Sequence, residues 1–296
     1  MHVREISVKS ILTPTGGFLS AYSHTLNPYR GCTYGSSFCG AACYAPEVRF
    51  SNPPDRWGRY LEVKINAPEV YPRDHDRARD RGQPIVVFMS SVTDPYVPQE
   101  RRYRITSRLL DAMCERPPHA LVLQTHSPNP LWDLQTLVRL GARTRLVIQI
   151  SVETDRESIP GFPRHAYSVE ARLAALGELR ARGLRTVGVV SPLMPLADPE
   201  GFAARLGAVA DAVILDHYLI GDGSPGGART RRRKAHLDDT VPNLLAAAGF
   251  EEWTRLETFH AIVARFRHVL GAARVGVGAD GFNRVAASEL GRGRSL

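Results

Sequence analysis

Three of the four cysteines, Cys32, Cys39 and Cys43, fall in the stretch Asn27-Pro-Tyr-Arg-Gly-Cys-Thr-Tyr-Gly-Ser-Ser-Phe-Cys-Gly-Ala-Ala-Cys-Tyr-Ala-Pro46. An odd number of thiols this close cannot all pair as disulfides, but it can hold a metal centre. The spacing C-x6-C-x3-C lacks the paired C-x2–4-C units or histidine pair of a structural zinc site. His24 and His75, the nearest histidines, stand at no ligand spacing from the thiols. Three thiolates instead suit an iron–sulfur cubane with three irons held by sulfur and a fourth open to an exogenous ligand. Gly31, Gly35 and Gly40 would let the backbone wrap closely around it, and backbone N–H groups would tune the sulfurs. The plainer alternative is three structural cysteines. Cys114, which follows Leu109, Leu110 and Met113 on an expected helix, reads as a small buried apolar group.

The elements that must position this loop read as an α/β alternation. Short apolar, β-branched runs at 84–89, 120–124, 145–151, 185–190 and 212–215 are expected strands. A first strand near Ser23 to Tyr29 leads into the cysteines, and Arg274-Val-Gly-Val277 is a late seventh candidate. Asn129-Pro130 and Asp198-Pro199 each place a capping residue before proline at the first helical position. Gly141 and Gly183 are expected as left-handed helix ends. The helix from Ser168 to Arg182 sets Val169, Leu173, Leu176 and Leu179 on one face. About six strand–helix units imply parallel strands with right-handed crossovers and favour a partial barrel. No GxGxxG and no GxxxxGK[ST] phosphate loop occurs.

In barrel-type folds the chemistry lies at the C-terminal strand ends, here residues 30–44, 90–98, 125–130, 151–156, 191–197 and 216–234. Residues 50–83 read as a surface excursion, and 221–238 as a flexible basic loop carrying Arg229 and Arg231, either a clamp for an anionic substrate or a connector. The 296 residues carry 43% hydrophobic and 23% charged side chains and a formal net charge of +8. That composition is globular, and its length fits one domain with a core over about 23–218 and a helical extension over 239–296. No apolar run of about 18 residues exists to span a membrane, no secretory leader is visible, and free thiols fit a cytoplasmic location. The basic excess allows polyanion binding, although no aromatic ladder accompanies it.

Four segments, in order and each at a strand end, resemble one family. Asn27-Pro-Tyr-Arg-Gly-Cys with Cys43-Tyr-Ala45 looks like the cluster loop of radical S-adenosylmethionine (SAM) enzymes of the spore photoproduct lyase-like group. Ser91-Val-Thr-Asp-Pro-Tyr-Val-Pro-Gln-Glu100, Gln149-Ile-Ser-Val-Glu-Thr-Asp155 and Val190-Ser-Pro-Leu-Met-Pro-Leu-Ala-Asp198 are similar to its segments after the second, fourth and fifth strands.

The resemblance covers roughly residues 25–200. It implies a partial (β/α)6 TIM-like barrel of the radical SAM type, with a 4Fe-4S cluster and SAM as cofactors and Cys32, Cys39 and Cys43 as metal ligands. It further implies reductive cleavage of SAM to a 5′-deoxyadenosyl radical that abstracts substrate hydrogen, with an electron donor such as flavodoxin or ferredoxin as partner. Ser91, Asp94, Ser151 and Glu153 are the matching cofactor-binding candidates, and one of the last two is expected to face the interior. The family motif is C-x3-C-x2-C, so Cys39 is a shifted middle ligand. Ala42 replaces the usual aromatic, which leaves Phe38 or Tyr44 to pack near adenine. His126 stands where the group tends to carry a lysine for the SAM carboxylate. Spore photoproduct lyase itself uses a donor cysteine near the end of the second strand, and none occurs in Phe88 to Pro98. Tyr96 and Tyr218 are the candidate hydrogen or electron relays, with plain packing as the alternative. Asp216 and His217, ending the sixth strand, are candidate substrate contacts. The substrate expected is an anionic small molecule. The other readings are a nucleic-acid repair or modification enzyme and a non-catalytic metal- or nucleic-acid-binding module.

Overall fold

A computed structural model describes residues 1–43, 45, 57–219, 228 and 241–289. Its strands are β1 (His2–Ile6), β2 (Leu12–Pro14), β3 (His24–Leu26), β4 (Tyr29–Cys32), β5 (Tyr60–Lys64), β6 (Val86–Met89), β7 (Ala120–Thr125), β8 (Arg145–Ser151), β9 (Arg185–Val190), β10 (Ala212–Leu215) and β11 (Val275–Val277). The helices between them are α1 (Phe38–Ala42), α2 (Ala67–Arg79), α3 (Glu100–Tyr103), α4 (Ile105–Glu115), α5 (Leu134–Gly141), α6 (Val169–Ala181) and α7 (Pro199–Val209). Helices Val241–Ala247, Leu256–Leu270 and Gly278–Glu289 follow.

The main sheet has eight strands in the order β11-β10-β9-β8-β7-β6-β3-β2. All neighbours from β3 to β11 are parallel, and β2 runs antiparallel to β3. The expected six-stranded partial barrel therefore appears as an open sheet with a seventh parallel strand, β11, and no hydrogen-bonded closure among the described residues. The C-terminal segment contributes that strand and is not solely helical.

Alternation along each strand separates two cores. Leu121, Leu123, Ile148, Ile150, Val190 and Leu215 face the layer of crossover helices. Phe88, Val122, Val147, Val187, Val189 and Ile214 face the other way, against Tyr22 and the Phe282 and Val285 side chains of the last helix. The Phe282 carbonyl accepts from Tyr22 Oη at 2.9 Å, so this helix plugs the lower part of that face.

The sequence reading needs correction at four places. The single first strand near Ser23–Tyr29 is two strands in different sheets, β3 in the main one and β4 in a separate sheet ordered β1-β5-β4. Residues 50–83 are expected as a surface excursion; of these, 57–83 are described and contain β5 and α2. Helix α2 buries Ala67, Val70, Tyr71, Asp74, His75 and Ala78. The Asp74 carboxylate accepts from Ile11 N at 2.6 Å and Ser10 Oγ at 2.7 Å, so the polar members of that stripe are satisfied. Asn129 is no α-helix cap. It opens a 3-10 turn, Asn129–Asp133, and donates its amide to Tyr167 Oη at 2.8 Å. Gly141 ends α5 without a left-handed backbone, whereas Gly183 has φ +76° as expected. Ser168 and Asp198 cap α6 and α7 through their side chains, and the apolar stripe of α6 is buried.

Candidate functional site at the C-terminal strand ends

The four sequence segments are stitched together in pairs. Asn27 Oδ1 accepts from Val92 N at 3.2 Å, Thr93 Oγ1 donates to the Gly31 carbonyl at 2.7 Å, and Thr33 Oγ1 donates to Gln99 Oε1 at 3.0 Å. Tyr29 Oη donates to Glu100, whose carboxylate also accepts from Thr106 N and Ser107 N at the start of α4. On the other side Met194 N donates to the Glu153 carbonyl at 3.0 Å, and Thr154 Oγ1 to the Pro195 carbonyl at 2.6 Å. Asp155 accepts from Ala197 N and Asp198 N.

Asp94 bridges the two pairs. Its carboxylate accepts from Tyr96 N at 2.8 Å, Thr125 Oγ1 at 2.8 Å and His126 N at 2.7 Å, fixing β6 to β7 at their ends. Burial raises its pKa, opposed by His126 and by these donors. His126 Nδ1 then meets Glu153 Oε1 at 2.7 Å, and Arg172 Nη1 of α6 donates to Glu153 Oε2 at 2.7 Å and to the Ser151 carbonyl at 2.8 Å. Arg172 Nη2 lies 3.3 Å from His165 Nδ1. A guanidinium only donates, so that nitrogen accepts, and His165 Nε2–H donates to the Arg156 carbonyl at 3.1 Å. Burial and the Arg172 charge both lower the His165 pKa. Burial works to raise the Glu153 pKa, but Arg172 and His126 outweigh it and hold Glu153 well below its ordinary value. For His126 burial works downward, and the Glu153 hydrogen bond and charge carry the net pKa upward.

His126, Glu153, His165 and Arg172 line a small cavity of about 240 Å³, its open mouth included, with Tyr34, Cys39, Ala166 and Tyr167 completing the wall. Arg172, His165 and Tyr167 were not anticipated as site residues. Arg172 sits inside an apolar helical stripe, where its two carboxylate and carbonyl acceptors are invisible to the sequence.

The cysteine loop borders the same cavity through Cys39. All four cysteines are free thiols. Burial pushes the Cys32 thiol up to about 12, opposed by the Tyr34 N–H that donates to its sulfur at 3.4 Å. Burial, then Cys43 and Cys32, push the Cys39 thiol up. The backbone here is tight. A Cβ on Gly40 would lie 2.3 Å from the Gly35 carbonyl oxygen, and one on Gly35 would lie 2.4 Å from Gly58 Cα. Three thiols are the donor type that an iron–sulfur cluster takes. Among the described residues, though, no three Cys, His, Asp or Glu side chains are gathered into a metal-holding group.

The remaining candidates separate. Ser91 accepts from Asn27 Nδ2 at 3.3 Å. Ser151 and Glu153 are both buried; Glu153 lines the cavity, while Ser151 Oγ accepts from Gln124 Nε2, and since residues two apart in extended chain share a face, the expectation that their spacing sends them to opposite faces fails. Phe38 is fully buried against Phe162 and His165 and does not line the cavity. Tyr96 is in the core, its hydroxyl 3.1 Å from Asp133 Oδ2. His217 is committed to packing: Nδ1 accepts from Leu219 N, Nε2 faces the Trp253 carbonyl, and the ring stacks on Tyr218 at 4.1 Å. Burial lowers its pKa to about 4, which favours the neutral ring. Asp216 accepts from His217 N and Ser191 Oγ. Tyr218 is buried beside Phe38 and Met194. Cys114 is buried in the helix layer as expected. Tyr44, Arg229 and Arg231, and the basic loop carrying the last two, lie outside the described residues. No described helix is long and apolar enough to cross a membrane.

No protein-family model matches the chain. An uncharacterized protein of Methanocaldococcus jannaschii is 25% identical over 202 residues, 68% of this chain and 71% of that protein. An uncharacterized protein of Mycobacterium tuberculosis is 25% identical over 185 residues, and there the chain spans about half the relative's length, 52%. Among solved structures, spore photoproduct lyase complexed with dinucleoside spore photoproduct superposes with a TM-score of 0.62 at 12% identity, over 93% of this chain and 81% of that one. A mutant of the same lyase with bound AdoMet and dinucleoside spore photoproduct gives 0.61 at 13% identity, over 93% and 80%. The chain therefore has the α/β fold of spore photoproduct lyase, with its cysteine loop and its buried His126–Glu153–Arg172 chain at one end of the parallel sheet.

Proposed function

We propose that the chain is a radical SAM enzyme in which Cys32, Cys39 and Cys43 hold a 4Fe-4S cluster beside the cavity walled by His126, Glu153, Arg172 and Tyr167. The observation that carries this reading is the conjunction of three free thiols on one loop, Cys39 in the cavity wall, and a fold that covers 93% of the chain in a lyase solved with AdoMet. When bound, the cluster would supply the electron that cleaves the SAM sulfonium to a 5′-deoxyadenosyl radical. The chain's own residues do the positioning. Asp94 locks the ends of β6 and β7, Arg172 fixes Glu153, and Glu153 orients the cavity-lining His126 through Nδ1. Ser91 and Ser151 frame the same end of the sheet.

The lyase among the comparisons is described with a dinucleoside photoproduct. For this chain the absence of a cysteine in Phe88–Pro98 argues against repair through a cysteine hydrogen donor, so a small-molecule substrate, anionic in keeping with the net charge of +8, is favoured. A reduced flavodoxin or ferredoxin is the matching electron source, and Tyr218, buried next to the cysteine helix residue Phe38, remains the relay candidate. Anaerobically reconstituted protein with dithionite and SAM should release 5′-deoxyadenosine. Protein carrying a full iron complement that never releases it would overturn the proposal.

A further inference from the structure

The parallel sheet carries buried polar atoms that have no hydrogen-bond partner among the described residues. Gln149, in the middle of β8, has no exposed surface. Neither its amide nitrogen nor its amide oxygen has a hydrogen-bond partner among the described residues. Its ladder neighbours are Gln124 on β7 and Val187 on β9. Val187, like Val147 two residues before Gln149, belongs to the core packed against Tyr22 and the last helix, so Gln149 faces that side. Gln124 is half-buried and donates Nε2 to Ser151 Oγ at 3.4 Å.

Gln149 lies level with Gln124 on the neighbouring strand, Ser151 stands two residues further along β8, and His126 two residues beyond Gln124, at the strand ends where the cavity lies. At the end of the adjacent strand, one residue past Met89, the buried Ser90 hydroxyl is likewise unpartnered. Ser90 also holds φ +74° without being glycine, a conformation that surrounding structure must enforce.

A buried carboxamide with both ends unpaired gives up its hydration with no hydrogen bond in return. Native interiors avoid this unless something else binds there. Its oxygen accepts and its nitrogen donates side by side, which is complementary to a planar lactam or carboxamide edge. We propose that Gln149, with Gln124 and Ser90, forms a recognition site for an uncharged planar group presenting adjacent N–H and C=O or ring-nitrogen edges, a nucleobase being the commonest such group. The inference stands on these side chains and does not require the cluster. The base could belong to SAM or to the substrate, and the test separates them.

Binding of adenosine, inosine, uridine and thymidine to the purified full chain is measured by calorimetry, for wild type and for Gln149→Leu. The leucine removes both orphaned atoms at similar volume. The expected result is binding of at least one nucleoside, weakened about 5- to 100-fold in Gln149→Leu, with an unchanged or raised Tm. Adenosine alone binding would assign the site to the cofactor's base, and a lactam nucleoside binding preferentially would assign it to the substrate. Gln149→Glu, which keeps the shape and loses the donor, should weaken binding as well. Equal affinity of wild type and Gln149→Leu for every nucleoside, no binding by any, or a large loss of Tm in Gln149→Leu would overturn the proposal.

Discussion

Arg172→Met tests the electrostatic chain at its deepest point. The Arg172 and Glu153 side chains are 3% and 2% exposed, so removing the guanidinium leaves a carboxylate in the interior with only His126 beside it. Breaking a buried pair from one side costs about 3–5 kcal/mol. At about 2 °C per kcal/mol for a chain of this size, that is a fall in Tm of roughly 6–10 °C. The pH dependence carries the sign. In the wild type Glu153 is held below its ordinary value of 4.5, so its contribution is present above that value and is lost as pH falls through the folded pKa. Without Arg172 burial dominates and raises the Glu153 pKa, so the variant's deficit should be larger at pH 7 than at pH 4. The double variant Arg172→Met/Glu153→Gln should be less destabilised than the sum of the two single ones, by about 1–3 kcal/mol. Denaturant unfolding followed by circular dichroism at both pH values measures all of this. A loss below about 1 kcal/mol, or a deficit independent of pH, would refute the reasoning.

His126 makes the complementary prediction. Its folded pKa is raised above 6.5, so its contribution is full below pH 6.5 and is lost as pH rises through the folded value; His126→Gln should flatten the stability profile above pH 6.5. Asp94→Asn keeps one acceptor oxygen but puts an NH2 group in place of the other, against the His126 N–H or against the Tyr96 N–H and Thr125 hydroxyl, and should lower stability by about 1–3 kcal/mol, read as Tm. Gly40→Ala should disrupt the loop because its Cβ would strike the Tyr34 and Gly35 carbonyls, seen as lower iron retention after anaerobic reconstitution. Cys114→Ala should keep wild-type iron content.

The strands of the main sheet were legible because each buried parallel strand is a short run of mostly apolar, often β-branched residues, as in Arg145-Leu-Val-Ile-Gln-Ile-Ser151. The same run hides Gln149, whose meaning appears only once its face is known. Helix α6 and its Ser168 cap were legible from the 3.6-residue stripe, yet that stripe conceals Arg172. Helix α2 was missed because Asp74 and His75 occupy core positions and pay their desolvation through Ser10, Ile11 and Pro117, contacts made across the chain. Strand β1 was missed because His2 to Glu5 are exposed and charged or polar at most positions. The cysteine segment and its three companions were legible as strand-end motifs. Their hydrogen-bonded pairing, 27–33 with 92–100 and 153–155 with 194–198, is long-range and belongs to the fold. His217 reads like a site residue in sequence, and only the Leu219 and Trp253 backbone contacts show it as structural.

The central claim is that the loop of Cys32, Cys39 and Cys43 holds a cluster. The most direct measurement is iron and sulfide content with electron paramagnetic resonance after anaerobic reconstitution, in wild type and in the three single alanine variants. About four irons per wild-type chain, a reduced-cluster signal that changes on adding SAM, and loss of both in Cys32→Ala, Cys39→Ala and Cys43→Ala are predicted. A wild-type chain that takes up zinc and no iron, or a Cys39→Ala variant with an intact cluster, would contradict it.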